Sequence, residues 1–243
     1  MTRLTHEEFE KQALSDPEVR KEYDELKSDY WLDVWVQDKL PFHQASVNPL
    51  LEKYWPSLQV IRGANILVPL CGKTSDLIFL ANAGYHVIGA ELSEIACEAF
   101  FVENKITFKK DKINNFTRYY SDQIEIYCGD FFQLSAAMLP SIDAVYDRAA
   151  LIALPNNLRP SYAKHLTNLM NSGSQMLCIV HQSPDLVQGP PFLVPQEEIM
   201  DLYGECFQIT EIARVKMATI SAYLQSKGYR ENDEVVYQLK RCH

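Results

Sequence analysis

The runs Asn65-Ile66-Leu67-Val68-Pro69-Leu70-Cys71-Gly72-Lys73-Thr74 and His86-Val87-Ile88-Gly89-Ala90-Glu91-Leu92 decide the reading of the chain. Each contains an unbroken apolar stretch of strand length, and the first ends in a turn signal at Gly72. A strand apolar on both faces must be covered on both, as in a parallel sheet lying between layers of helices. Thr74 to Ala83, between the runs, predicts a helix closed by Gly84. After the second run, Ser93 is placed to cap a helix reaching Glu103.

The same alternation continues downstream. Ile124 to Cys128, Ile142 to Tyr146 and Gln175 to Val180 read as further strands. Leu158 to Met170 reads as a long helix closed by Asn171-Ser172-Gly173. A helix near 196–203, a strand near 207–216 and a last strand at Glu234 to Leu239 complete the pattern. Strands alternating with helices predict an α/β fold with a mainly parallel sheet and helices on both faces. Upstream, Tyr30, Trp31, Val34 and Trp35 form the apolar face of a helix from Asp29 to about Lys39, and a second amphipathic helix spans Val47 to Tyr54. Residues 1–28 are rich in charge and read as a helical extension with a capping box at Thr5 and Glu8, which leaves 29–243 as the main domain.

Composition narrows the possible functions. The 243 residues carry 23 Lys and Arg against 32 Asp and Glu, a net charge of −9. An acidic surface repels phosphate backbones, so no nucleic-acid partner is expected. The richest basic stretch, Lys105 to Arg118, also contains Asp111 and reads as a solvated loop. No apolar run approaches the roughly 20 residues of a membrane helix. The polar segment Met1 to Lys11 does not resemble a signal or transit peptide, so a cytoplasmic protein is expected. The 6 cysteines include no C-x-x-C pair, which predicts free thiols without a zinc site or disulfide framework.

Ligands of open α/β sheets bind beyond the carboxyl ends of the strands, and four such ends carry chemistry. Gly72-Lys73-Thr74 invites comparison with a phosphate loop, but the glycine required five positions earlier is Leu67, within a strand. G-x-G-x-x-G is absent as well, leaving a tight turn where Gly72 allows close approach of a ligand. Glu91 is placed either to accept hydrogen bonds from ribose hydroxyls or to favour a helix amino terminus. Cys128-Gly129-Asp130-Phe131-Phe132 offers an acid and an aromatic that suit an adenine, or else a helix cap at Asp130 followed by two core phenylalanines. Asp147-Arg148, ending an apolar strand, is either a local ion pair or part of a site. A ribose acid and an adenine loop without a phosphate grip point to S-adenosylmethionine.

At these residues the chain resembles the thiopurine S-methyltransferase family. The resemblance rests on Trp31-x-x-x-Trp35 with Phe42-His43-Gln44, on Pro69-Leu70-Cys71-Gly72-Lys73, and on Glu91-Leu92-Ser93-Glu94. Tyr146-Asp147-Arg148-x-Ala150-Leu151 and Gly189-Pro190-Pro191-Phe192-x-Val194-Pro195 complete it, so that it covers roughly 29–240. It implies a Rossmann-like class I methyltransferase with a seven-stranded sheet whose last strand is antiparallel. It also implies that Trp31 and Trp35 cover the methionine part of the cofactor, with Leu70 and Gly72 in the same cleft. Glu91 would hold the ribose, and Asp130 and Phe131 would lie on the adenine side. Arg148 would be catalytic, contacting both cofactor and substrate, while Phe42, Pro191 and Phe192 would pack against an aromatic thiol.

The expected reaction is in-line methyl transfer to the sulfur of a thiol or thiopurine, by a monomer acting on small molecules. His43 is either a proton acceptor or a helix-entry hydrogen-bonding group. Other acceptors stay open, namely selenium or tellurium compounds, halide and small aliphatic thiols, as does a cofactor-sensing module without catalysis.

Overall fold

The computed structural model describes residues 30–37, 40 and 43–242. The expected extension over 1–28 and the candidate Phe42 lie outside the described residues. The strands are β1 Asn65–Pro69, β2 His86–Glu91, β3 Lys109–Ile113, β4 Phe116–Tyr120, β5 Ile124–Cys128, β6 Ile142–Arg148, β7 Met170–Gln182, β8 Phe207–Lys216 and β9 Asp233–Arg241. The α-helices are α1 Trp31–Val36, α2 Pro49–Tyr54, α3 Asp76–Asn82, α4 Glu94–Glu103, α5 Arg159–Leu169, α6 Gln196–Tyr203 and α7 Ala222–Ser226.

One sheet runs in the order β3-β4-β5-β2-β1-β6-β7-β9-β8. From β5 to β7 every neighbouring pair is parallel, and β9 lies antiparallel between β7 and β8. The expected seven strands are therefore present, with the antiparallel strand at the end of the sequence. The sheet has nine strands rather than seven because β3 and β4 add an antiparallel hairpin beside β5. That hairpin corrects the reading of Lys105 to Arg118 as a loop. Phe116 and Tyr119 of β4 are buried, while the outer strand β3 carries Lys109, Lys110, Asp111 and Lys112. An edge strand faces solvent and is protected by charge, so it lacks the apolar run that marks an inner one.

Side chains alternate across the sheet and divide the core into two layers. Leu67, Ile88 and Val145 pack with Tyr162, Leu166 and Leu169 of α5 and Ile199 of α6. Ile66, Val68, Val87 and Tyr146 face the other way, toward Leu50 and Leu51 of α2, Leu77 and Leu80 of α3, and Phe100 of α4. Helix α4 begins where the sequence predicts, with the Ser93 hydroxyl accepting from Ala96 N. Among the described residues no helix is long and apolar enough to cross a membrane.

The alternation also separates Asp147 from Arg148, so of the two alternatives the local ion pair does not form. Asp147 is fully buried toward α5, where its Oδ1 accepts from Leu151 N and its Oδ2 accepts from the Tyr162 hydroxyl. Burial pushes its carboxyl from 3.8 up to about 6 against those two hydrogen bonds. A folded-state pKa above the unfolded value means the folded protein holds the proton longer, so stability falls as pH rises through that window. Asp147→Asn lacks this titration. Denaturant melts at pH 4 and pH 7 should show the wild type losing stability relative to Asp147→Asn between the two conditions; parallel changes would contradict the assignment.

Candidate active site

The carboxyl ends of β1, β2, β5, β6 and β7 share one edge of the sheet, and antiparallel β9 begins at that same edge. A cleft of about 360 Å3 opens there, within the roughly 300–1,000 Å3 of small-molecule sites. Trp31, Trp35, Leu70, Gly72, Glu91, Asp130, Phe131, Arg148 and Pro191 all line it, so the structure brings together most of the candidates read from the sequence. His43 borders it too. Phe192 does not; its ring lies beside the guanidinium of Arg159, with the centroid 5.8 Å from Cζ.

Glu91 organises the floor. It is 7% exposed, and its two carboxylate oxygens accept separate backbone hydrogen bonds. Oε2 accepts from Gly72 N at 2.8 Å, and Oε1 accepts from Ser93 N at 2.8 Å. Burial raises its pKa, and these backbone donors pull in the opposite direction. Next to it, the turn after β1 takes left-handed backbone at Leu70, φ 47°, and Gly72, φ 55°. For leucine that conformation is strained by roughly 1–3 kcal/mol, a cost found most often at functional sites. At Gly72 the constraint is also steric, since a Cβ there would lie 3.2 Å from the Trp35 ring. Helix α1 is thereby seated directly on the turn.

Asp130 accepts from Phe132 N, and the Phe131 ring packs against Tyr162 and His165. The cap at Asp130 and a core ring at Phe131 are thus realised while both residues still border the cleft, whereas Phe132, expected as a second core ring, is half-buried and lines the cleft. Lys73 reaches away to Glu103 at 2.7 Å, as fits the rejection of a phosphate loop. Asp76 is buried under the floor, where it accepts from Asn48 N and from the Tyr146 hydroxyl and so ties α2 and β6 to α3. Arg148 lines the cleft, and its guanidinium has neither a hydrogen bond nor an ion pair among the described residues.

Among the lining residues that escaped the sequence reading are His181 and Glu234. His181, near the end of β7, pairs in register with Glu234, near the start of β9. Both are polar groups at the ends of apolar runs, the signal that marked Glu91 and Arg148. Burial, reinforced by the charge of Arg148, pushes His181 down to about 4 and keeps it neutral at physiological pH.

The donor set fits a positively charged nucleoside. Four carboxylates line the cleft (Asp76, Glu91, Asp130 and Glu234) against the cations Lys73 and Arg148, which favours a cationic ligand. A carboxylate has about four lone-pair positions, so Glu91 can accept from hydroxyls in addition to its two backbone donors.

A family model described as thiopurine S-methyltransferase matches residues 26–242. A thiopurine S-methyltransferase of Pseudomonas syringae pv. pisi is 41% identical over 217 residues, spanning 89% of this chain and 100% of that protein. The one from Nitrosospira multiformis is 39% identical over 215 residues, 88% of this chain and 98% of that protein. Among solved structures, magnesium protoporphyrin IX methyltransferase from Synechocystis, crystallised with bound S-adenosylmethionine, superposes with a TM-score of 0.56. It shares 16% identity and the match covers 99% of each chain. A Burkholderia thailandensis 1,6-didemethyltoxoflavin-N1-methyltransferase also superposes with a TM-score of 0.56, at 14% identity over 100% of this chain and 93% of that one. These distant structures establish the Rossmann-like class I fold, and the sequence relatives establish the rest. The chain belongs to the thiopurine S-methyltransferase family and is an S-adenosylmethionine-dependent S-methyltransferase.

Proposed function

We propose that the chain methylates the sulfur of small aromatic or heteroaromatic thiols, thiopurines among them, by direct in-line transfer. The observation that carries this reading is the presence, in one largely apolar cleft, of a buried Glu91 carboxylate and an Arg148 guanidinium that is unpaired among the described residues. Bound S-adenosylmethionine supplies a methyl group on a sulfonium, ready for displacement by a nucleophile.

In this reading Glu91 accepts hydrogen bonds from the ribose hydroxyls, with Asp130 and Phe131 on the adenine side. Trp31 and Trp35 cover the methionine part, and Leu70 and Gly72 allow it close approach to the backbone. Arg148 holds and stabilises the acceptor's thiolate by a charge-assisted hydrogen bond. Pro191 forms part of the acceptor's wall, and Phe42 is assigned to that wall from the resemblance alone. Phe192 is left out, because its ring packs on Arg159. Apolar walls strip water from the nucleophile, and positioning at about 3–3.5 Å supplies most of the acceleration. An aromatic thiol ionises readily enough that no strong general base is needed.

We also place the enzyme in the cytoplasm as a monomer. Its free cysteines suit a reducing compartment. The lysines of edge strand β3 discourage sheet extension between copies. Residues 1–28 are assigned to an extension outside the methyltransferase domain, in keeping with a family match that begins at residue 26.

Labelled methyl transfer to 6-mercaptopurine and thiophenol tests the function: turnover is expected, and cofactor binding without turnover of either would overturn it. Glu91→Gln should raise the calorimetric Kd for S-adenosylhomocysteine about 10-fold or more, by loss of a charged acceptor; an unchanged Kd would remove the ribose role. Arg148→Ala should lower kcat by about 100-fold with a much smaller effect on cofactor affinity. A wild-type kcat would exclude Arg148 from the reacting centre.

A further inference from the structure

Three polar side chains meet at one end of the cleft, on the neighbouring strands β6, β7 and β9. Arg148 lies close enough to Glu234 to oppose the rise that burial imposes on its carboxyl. Yet no Arg148 nitrogen comes within the 4.0 Å of an ion pair with it. Among the described residues the Glu234 carboxylate has neither a hydrogen bond nor an ion pair. Its register partner His181 has an Nδ1 that is closed to solvent and without a hydrogen-bond partner among the described residues. Several other polar groups of the cleft already have partners in the fold: Glu91, Asp76 and Asp130 each accept from backbone N–H groups, and the Tyr223 hydroxyl donates to Pro190 O.

A carboxylate can only accept and a guanidinium can only donate. Held apart in a largely apolar cleft, the two are satisfied together by a ligand edge that offers an acceptor next to a donor. Sulfur bound to the carbon of an adjacent N–H is such an edge. We propose that Glu234 is an acceptor-specificity residue, accepting a hydrogen bond from an N–H beside the carbon that carries the reacting sulfur, while Arg148 holds the sulfur itself. This rests on the S-methylation reading above and narrows its substrate class to cyclic thioamides, with simple thiophenols as poorer acceptors.

The chemistry balances. The sulfur lone pair forms the new S–CH3 bond as the bond between methyl and sulfonium breaks. The N–H bond gives its electron pair to the ring nitrogen and its proton to the Glu234 carboxylate, which then releases it to solvent. Neutral His181 puts no second positive charge beside that carboxylate. A site built to bond an N–H also discriminates strongly against analogues without one, because its own acceptor is then left unpaired.

The test compares 2-thiopyridone, which carries the N–H beside the C–S carbon, with 4-thiopyridone, which carries it across the ring, and thiophenol, which has none. For the wild type, kcat/KM should be highest for 2-thiopyridone. In Glu234→Met the ratio of kcat/KM for 2-thiopyridone over thiophenol should fall by roughly 10- to 100-fold, the worth of a charge-assisted hydrogen bond. Glu234→Gln keeps an amide oxygen and should fall in between; if the Met variant does not fold, a fall of about 3-fold or more in the Gln variant decides. Binding of 2-thiopyridone, followed by its thione absorbance without cofactor, should weaken in parallel. An unmoved ratio, or equal losses for all three acceptors with unchanged thione binding, would overturn the proposal while leaving S-methylation intact. Failure of the wild type to methylate any of the three would overturn both.

Discussion

The site depends on one buried carboxylate shared between two strand ends. Glu91 lies at the end of β2, accepts from Gly72 N in the turn after β1, and accepts from Ser93 N at the entry to α4. Burying a carboxylate is costly unless hydrogen bonds compensate, and here the backbone supplies them. Two consequences follow from this geometry. The turn is held in a left-handed conformation at Leu70 and Gly72, and Trp35 rests where any Cβ at Gly72 would intrude. Glu91, the turn at Gly72 and Trp35 are thus parts of one contact network.

The reacting end is built from the alternation of a strand. In β6, Asp147 turns into the core to hold Leu151 N and Tyr162, whereas Arg148 turns into the cleft. Two adjacent charges therefore face opposite ways, one bonded within the core and one lining the cleft. With Asp147 bonded inside the core, the Arg148 guanidinium has neither a hydrogen bond nor an ion pair among the described residues. The left-handed Ala149, φ 64°, follows directly and marks a second strained strand end beside the first.

Most of this was legible in the sequence because inner strands announce themselves. Unbroken apolar runs located β1, β2, β5, β6 and β7, and the polar residues ending them named Glu91 and Arg148. The hairpin was hidden because β3 is an edge strand whose side chains are charged, so its period resembles that of a loop. His181 and Glu234 were hidden for a different reason: each belongs to a strand recognised only by its apolar body, and their meeting depends on the pairing of β7 with β9. Phe192 is placed differently from its motif neighbours. Its motif was recognisable, but one residue of turn decides whether a ring faces the cleft, and the buried Arg159 guanidinium claims it.

The most direct test of the account is calorimetric binding of S-adenosylhomocysteine beside its 2′-deoxyribose analogue, on the wild-type protein. If the Glu91 carboxylate holds the ribose, loss of one hydroxyl should weaken binding by roughly 10-fold or more, the worth of a hydrogen bond to a charged acceptor. Equal affinity for the two ligands would show that Glu91 serves only the turn, and would contradict the placement of the nucleoside in this cleft.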